Sequence, residues 1–128
     1  MDLHTALSIL VVGSELTARR SISRTIKDLD IKRVDEAGSV DEALRLLSQR
    51  PYDCIFSEID LAQKSGFDLV RAMRKTQRFN ETPVILLASA ARKEDILIAR
   101  ELHVESIMVR PFSQSDLEAR VLQATKGR

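Results

Sequence analysis

The sequence contains few of the residues that build disulfide-bonded or metal-binding proteins. Among its 128 residues there are one cysteine, two histidines and no tryptophan, and aromatic residues make up only 4%. A single cysteine excludes an internal disulfide, so we expect Cys54 to be a buried strand residue in a reducing cytoplasm. His4 and His103 are far apart and have no partner at ligand spacing, which predicts that the chain has no metal site.

The chain also has no excess of charge and no long apolar run. Its 20 Lys and Arg residues nearly balance its 19 Asp and Glu residues, for a net charge of +1. This balance gives no long-range attraction to nucleic acid or to a membrane surface, and no apolar window is long enough to span a bilayer. Arg19 and Arg20 form a basic pair without neighbouring aromatic residues, so we interpret them as part of a solvated helix face.

What the sequence does contain is a repeated alternation of two patterns. Short β-branched runs alternate five times with longer amphipathic runs, which predicts βαβ units on a parallel sheet. The expected strands are 8–12, 32–37, 53–57, 83–88 and 106–109, and the expected helices are 16–29, 39–50, 67–78, 92–102 and 113–124. The length suits one domain over residues 1–128, with its core in residues 7–124.

Two of the expected helices begin with a recognisable capping sequence. Ser39 is followed three residues later by Glu42, and Ser113 is followed by Asp116. This spacing predicts a capping box, in which each side chain accepts a hydrogen bond from the backbone of the other.

In an open parallel sheet, functional residues gather where the strands end. The segments that follow four of the expected strands are Gly13-Ser14-Glu15, Glu58-Ile59-Asp60, Ala88-Ser89-Ala90 and Arg110-Pro111-Phe112. None of them contains a glycine-rich phosphate loop, so no nucleotide cofactor is expected. Ser14 has neither a nucleophile-elbow motif nor a base, and we interpret it as a helix cap rather than a catalytic residue.

Several short blocks connect the chain to a known family. They are Leu10-Val11-Val12, Ala18-Arg19-Arg20, Ala43-Leu44, Gly66-Phe67-Asp68-Leu69 and Arg110-Pro111-Phe112. In these blocks the chain resembles bacterial response-regulator receiver domains of the chemotaxis-receiver type, from residue 7 to about residue 121. The resemblance implies a flavodoxin-like (βα)5 sandwich with the strand order 2-1-3-4-5. It also implies a role in two-component phosphorelay signalling.

The resemblance also implies where the chemistry of the family would lie. The family has two acids that help to hold Mg²⁺, a phosphate-accepting aspartate, a phosphoryl-sensing hydroxyl residue, an aromatic gate and a lysine. In that order, they match Gly13, Ser14, Glu58, Ala88, Ile107 and Arg110, with Ser89 one position after the hydroxyl position. Every one of these positions is altered.

These changes remove what phosphoryl transfer requires. Mg²⁺ prefers oxygen ligands that include carboxylates, and neither Gly13 nor Ser14 has one. Glu15 is expected to begin a helix, and Glu58 is one methylene longer than aspartate, which would misplace the transferred group. We therefore predict a degenerate pseudo-receiver that has no catalytic residue, needs no cofactor and is not phosphorylated at Glu58.

Arg110 suggests another use for Glu58. A guanidinium at this position can reach across the strand ends and form a bidentate pair with the carboxylate. Such an ion pair within the chain would imitate part of the contacts that form in a phosphorylated receiver. It would thereby fix one conformation. The alternative is that Glu58 is a solvated acid at an altered site.

A module without chemistry must act through its surface. In the fourth expected helix, Ile96-Leu97-Ile98 sweep about 200° around the helix axis, more than the face that a surface helix normally buries. If Ile98, Ala99 and Leu102 face the core, Ile96 is exposed. The resemblance implies a protein partner, a fused effector domain or a homodimer contact at this helix, the fifth strand and the last helix.

Two other functions remain open from the sequence. The chain could be the receiver of a conventional response regulator whose pocket is altered and whose effector domain lies outside this sequence. It could instead be a small flavodoxin-like ligand-binding protein, although no cofactor fingerprint supports this.

Overall fold

The computed structural model describes residues 6–126. Within this range, five strands alternate with five helices. The strands are β1 (Ser8–Val12), β2 (Arg33–Ala37), β3 (Cys54–Glu58), β4 (Val84–Ala88) and β5 (Ser106–Val109). The helices are α1 (Leu16–Lys27), α2 (Val40–Gln49), α3 (Gly66–Arg74), α4 (Lys93–Glu101) and α5 (Gln114–Ala124), and a 3-10 turn (Gln77–Phe79) follows α3. None of the helices in residues 6–126 is both long and apolar enough to cross a membrane.

The five strands form one parallel sheet in the order β2-β1-β3-β4-β5. The predicted flavodoxin-like strand order is therefore confirmed. The order reverses at β1, which pairs with β2 on one side and with β3 on the other. β3 extends one residue further than predicted, so Glu58 is the last residue of this strand and lies beside Leu87 of β4.

The core consists of two apolar layers, one on each face of the sheet. Leu10 packs in the layer under α2 and α3, while Ile9 and Val11 pack in the layer under α1 and α5. Every residue of β4 is buried, because a central parallel strand has helices over both of its faces. Burial of each large aliphatic side chain contributes about 1.5–3 kcal/mol, so the central strands form a rigid base for the loops at their ends.

The predicted helix caps are partly confirmed. Ser113 and Asp116 form the complete reciprocal box at the start of α5. At α2, Ser39 Oγ accepts a hydrogen bond from the Glu42 backbone at 3.1 Å, but the Glu42 carboxylate turns to the Gly38 N–H at 2.6 Å. The predicted reciprocal bond of this box is therefore wrong, because the amide of Gly38 lies closer to the carboxylate.

The third helix ends at Arg74, four residues earlier than predicted. The Arg74 guanidinium donates hydrogen bonds to the carbonyls of Asn80, Thr82, Leu102 and His103 at distances between 2.9 and 3.1 Å. These bonds fold the segment after α3 back toward the helix and connect it to the turn between α4 and β5. Burial lowers the pKa of Arg74, and its four carbonyl partners satisfy the charge in place of water.

The ends of α1 and α4 are set by residues with left-handed backbone conformation. α1 ends at Lys27 rather than at residue 29, since Asp30 has φ of 64° and the preceding bonds tighten to i→i+3. His103 follows α4 with φ of 55°, and the helix ends at Glu101, one residue before the predicted end.

Candidate functional site

The carboxyl ends of four neighbouring strands bring the predicted site residues to one edge of the sheet. Gly13 follows β1, Glu58 ends β3, Ala88 ends β4 and Arg110 follows β5. The positions selected from the sequence therefore share one location, although they do not all touch one another.

Glu58 and Arg110 form the central contact of this site. Arg110 Nη2 donates a hydrogen bond to Glu58 Oε1 at 2.5 Å, so the guanidinium and the carboxylate form a direct ion pair. The Glu58 side chain is 15% exposed and that of Arg110 is 34% exposed. The predicted contact is present, but it consists of one hydrogen bond, and the predicted bidentate geometry is wrong.

The pair spans the end of β4, which lies between β3 and β5 in the sheet. The Arg110 N–H donates to the Ala88 carbonyl at 3.0 Å, which fixes the base of the arginine beside β4. Ala88 carries only a methyl group, so the long side chain can pass over it to Glu58. The ring of Phe112 lies 5.8 Å from the guanidinium carbon, close enough for a cation–π contact that further orients the charge.

Arg19 is a site residue that sequence reasoning missed. Its Nη1 donates to the Gly13 carbonyl at 2.9 Å and its Nε donates to Glu36 at 2.8 Å, so it is not on a solvated face as predicted. Burial raises the pKa of Glu36, but hydrogen bonds from Arg19 and Ser23, together with the positive charges of Arg19 and Arg20, lower it by more, so the net pKa is lowered. Its helical spacing could have indicated this position, because Arg19 lies on the same face of α1 as Ile22 and Ile26.

The loop after β1 departs from the prediction at Ser14. Glu15, not Ser14, caps α1, and its carboxylate accepts hydrogen bonds from the Ala18 and Thr17 backbones at 2.6 and 3.2 Å. These bonds, of which the one from Ala18 has the larger effect, lower the pKa of Glu15. Ser14 is exposed. The predicted start of the helix at Glu15 is confirmed.

The residues at these strand ends do not fit a divalent cation. Gly13 and Ser14 offer no carboxylate, Glu15 caps its own helix, and Glu58 already accepts a hydrogen bond from Arg110. Residues 6–126 contain no group of three or more His, Cys, Asp or Glu side chains that could hold a metal ion. His4 lies outside the described residues.

The gate-equivalent Ile107 lies in a shallow groove between α4 and β5. The groove has a volume of about 390 Å³, and its lining is mainly apolar: Ala91, Ile96, Ala99, Arg100, Val104, Ser106, Ile107 and Val109. Ile96 is 44% exposed and Ala99 is buried, as predicted. The Oγ atom of Ser106 is buried and has no hydrogen-bond partner among the described residues.

Comparison with known proteins identifies the family. Residues 9–122 match the response regulator receiver domain family. This chain belongs to that family. The receiver domain is 28% identical to the chemotaxis protein CheY of Pseudomonas aeruginosa over 115 residues, which cover 90% of this chain and 93% of that protein. It is 25% identical to chemotaxis protein CheY-3 of Vibrio cholerae over 119 residues, 93% of this chain and 92% of the relative.

Solved structures agree on the fold. The receiver domain superposes on the Vibrio cholerae chemotaxis protein CheY4 with a TM-score of 0.86 at 23% identity, covering 93% of this chain and 99% of that one. A sensor protein from Polaromonas sp. JS666 gives a TM-score of 0.87 at 20% identity over 94% and 96% of the two chains. At these identities the likeness shows the shared fold.

Family membership places the receiver domain in two-component signalling. Receiver domains are generally signalling modules that interact with other proteins of a phosphorelay, rather than enzymes. The strand ends described above are therefore part of a receiver domain of two-component signalling.

Proposed function

We propose that this chain is a non-catalytic pseudo-receiver of two-component signalling, formed as one domain over residues 1–128 and acting in the bacterial cytoplasm. Glu58 does not accept phosphate, and its ion pair with Arg110 acts as a partial phosphomimic that holds the strand ends in one state. The short Glu58–Arg110 hydrogen bond is the observation that carries this proposal. The single buried cysteine is compatible with a reducing compartment.

The position of the pair supports a locking role. It joins the last residue of β3 to the first residue after β5, so it restrains the loops that follow both strands. An arginine remains charged at every physiological pH and cannot dissociate as a phosphoryl group can. The ion pair therefore does not depend on phosphorylation, and the module is regulated by the presence of its partner rather than by phosphate.

The partner surface that we propose is the groove between α4 and β5. Ile96 and Leu97 are exposed at 44% and 50%, and an apolar groove flanks them. A protein partner, a fused effector domain or a second copy of the chain would bury these side chains.

Intact-mass measurement tests the absence of phosphate transfer. The chain is incubated with a small phosphodonor and Mg²⁺, and we expect no added mass because no carboxylate pair is available to hold the cation. A mass increase that disappears in Glu58→Gln would overturn the proposal.

A restored variant is the matched control. Gly13→Asp, Ser14→Asp, Glu58→Asp, Ala88→Thr and Arg110→Lys together return the residue types that the family resemblance implies. A Cβ atom at Gly13 would lie no closer than 3.4 Å to its neighbours, so a side chain can be accommodated there. We expect this variant to gain the mass of one phosphoryl group under the same conditions. No feature of the described residues favours either alternative function raised by the sequence.

A further inference from the structure

The outer side of β2 carries a concentration of positive charge that the proposed function does not use. Arg20, Arg24 and Lys27 occupy positions i, i+4 and i+7 of α1 and therefore share one helix face. Lys32 and Arg33 extend this face at the start of β2. All five side chains are exposed. We call the surface that they form the β2-edge groove.

These five side chains form no ion pair with the described carboxylates, although Asp35 and Glu36 also line the two depressions of this surface. Within residues 6–126, none of them lies within 4 Å of a carboxylate oxygen. The two acids of β2 have other partners, since Glu36 binds Arg19 and Asp35 accepts a hydrogen bond from Tyr52 at 2.6 Å. Asp28 and Asp30 are exposed in the turn between α1 and β2, so the five cations outnumber these two exposed acids at this edge of the sheet.

The shape of this surface suits an extended segment. Two adjoining depressions of about 510 and 320 Å³ share Lys27 and run along β2. Leu7 and Val34 provide apolar surface between the charges. β2 is an edge strand, so its outer N–H and C=O groups have no sheet partner.

We propose that the β2-edge groove binds an acidic protein segment in an extended conformation. Carboxylates of the segment pair with the cations of α1 and β2, while its apolar side chains contact Leu7 and Val34. A polypeptide fits better than a nucleic acid because no aromatic side chain lines either depression to stack on a base. The groove lies at the opposite edge of the sheet from β5, so both surfaces can be occupied together.

Fluorescence anisotropy with a labelled peptide of alternating glutamate and leucine tests this assignment. We expect saturable binding to the full chain that weakens as salt is added. The combined variant Arg24→Gln, Lys27→Gln and Arg33→Gln removes three of the five charges. We expect it to bind about tenfold more weakly, since each exposed ion pair contributes roughly 0.2–1 kcal/mol.

The control variant Lys75→Gln, Lys93→Gln and Arg120→Gln has the same net charge but keeps the β2-edge groove intact. We expect it to bind the peptide like the unmodified chain. Equal loss in both variants would show that net charge and not the β2-edge groove attracts the peptide, and no binding at all would likewise overturn the proposal. Tighter binding of a single-stranded oligonucleotide than of the peptide would overturn the choice of an acidic protein segment. Each of these results is independent of whether Glu58 accepts phosphate.

Discussion

At the residue scale, one methylene group changes what the end of β3 can do. The longer side chain of Glu58 brings its carboxylate within 2.5 Å of Arg110, across a strand that ends in alanine. Gly13 has a different charged neighbour, because Arg19 Nη1 donates to its carbonyl at 2.9 Å. The acid is therefore engaged with an internal cation rather than with an external one.

The strength of this pair can be measured with a double-mutant cycle of Glu58→Gln and Arg110→Met. We expect a coupling free energy of about 1 kcal/mol or more, because a largely shielded carboxylate accepts a charge-assisted hydrogen bond. The exposed Asp41–Lys64 pair, 3.1 Å apart, is the matched control and is expected to give less than about 0.5 kcal/mol. Additive effects at Glu58 and Arg110 in chemical denaturation would contradict the locking role.

The environment of Tyr52 predicts that the free energy of unfolding changes with pH in the alkaline range. Burial, and then the hydrogen bond to Asp35, raise the pKa of Tyr52 above its usual value of 10.0. A raised pKa in the folded state means that the stabilisation is complete below pH 10.0 and is lost as the pH rises above it. We expect native protein to show no tyrosinate absorbance near pH 10.0, whereas the chain unfolded in denaturant titrates there.

Tyrosinate absorbance reports on Tyr52 alone, because the chain has only one tyrosine. Tyr52→Phe is expected to lose the extra fall in the free energy of unfolding above pH 10.0. Titration of the native protein at the same pH as the unfolded chain would show that the phenol is not shielded.

At the element scale, the junction of β3 with α3 holds Glu58 in position. Gly66 begins α3, and its N–H donates to the Ile59 carbonyl at 2.8 Å. Ser65 and Asp68 form a complete capping box around this start. The loop between the strand and the helix is thus closed by backbone bonds at both of its ends, and the end of β3 cannot shift without moving α3.

Gly66→Ala tests this junction. A Cβ atom at Gly66 would lie 2.5 Å from the Glu58 carbonyl oxygen, so the helix start and the strand end must separate. We expect a loss of more than about 1 kcal/mol in the free energy of unfolding. Gly13→Ala is the control, since its Cβ meets nothing closer than 3.4 Å, and we expect a change within about 0.5 kcal/mol in thermal or chemical denaturation. Equal effects of the two substitutions would show that close backbone approach does not determine this junction.

At the scale of the whole molecule, the sheet separates two surfaces of different character. The β5 edge has an apolar groove with Ile96 and Ile107, and the β2 edge has a row of cations. The strand ends and the Glu58–Arg110 pair lie at the carboxyl edge that connects them. The two surfaces can therefore be tested separately.

The β5-edge surface is tested by Ile96→Glu. We expect weaker self-association in analytical ultracentrifugation, or weaker partner pull-down, with a change in unfolding free energy within about 0.5 kcal/mol, because Ile96 is exposed. Leu16→Glu is the control, since Leu16 is 49% exposed on α1 and lies outside the groove. Unchanged association of the Ile96 variant, or its unfolding, would exclude Ile96 as a contact.

Much of the architecture follows from the sequence alone. The alternation of short and long apolar patterns predicts each strand to within one residue at either end, because local periodicity records which side chains must be buried. The residue types at Gly13, Ser14, Glu58 and Arg110 are equally readable without coordinates, and a carboxylate missing from the sequence is missing from the site.

Tertiary structure decided which partner each polar side chain meets. The spacing of Arg19 places it on the inward stripe of α1, but only packing against β2 brings it to Glu36 and the Gly13 carbonyl. The early end of α3 likewise depends on four carbonyls that converge on Arg74, two from the segment after α3 and two from the distant turn after α4. A hydrogen bond changes from strong to absent within about 1 Å, and periodicity in a sequence does not define positions to that precision.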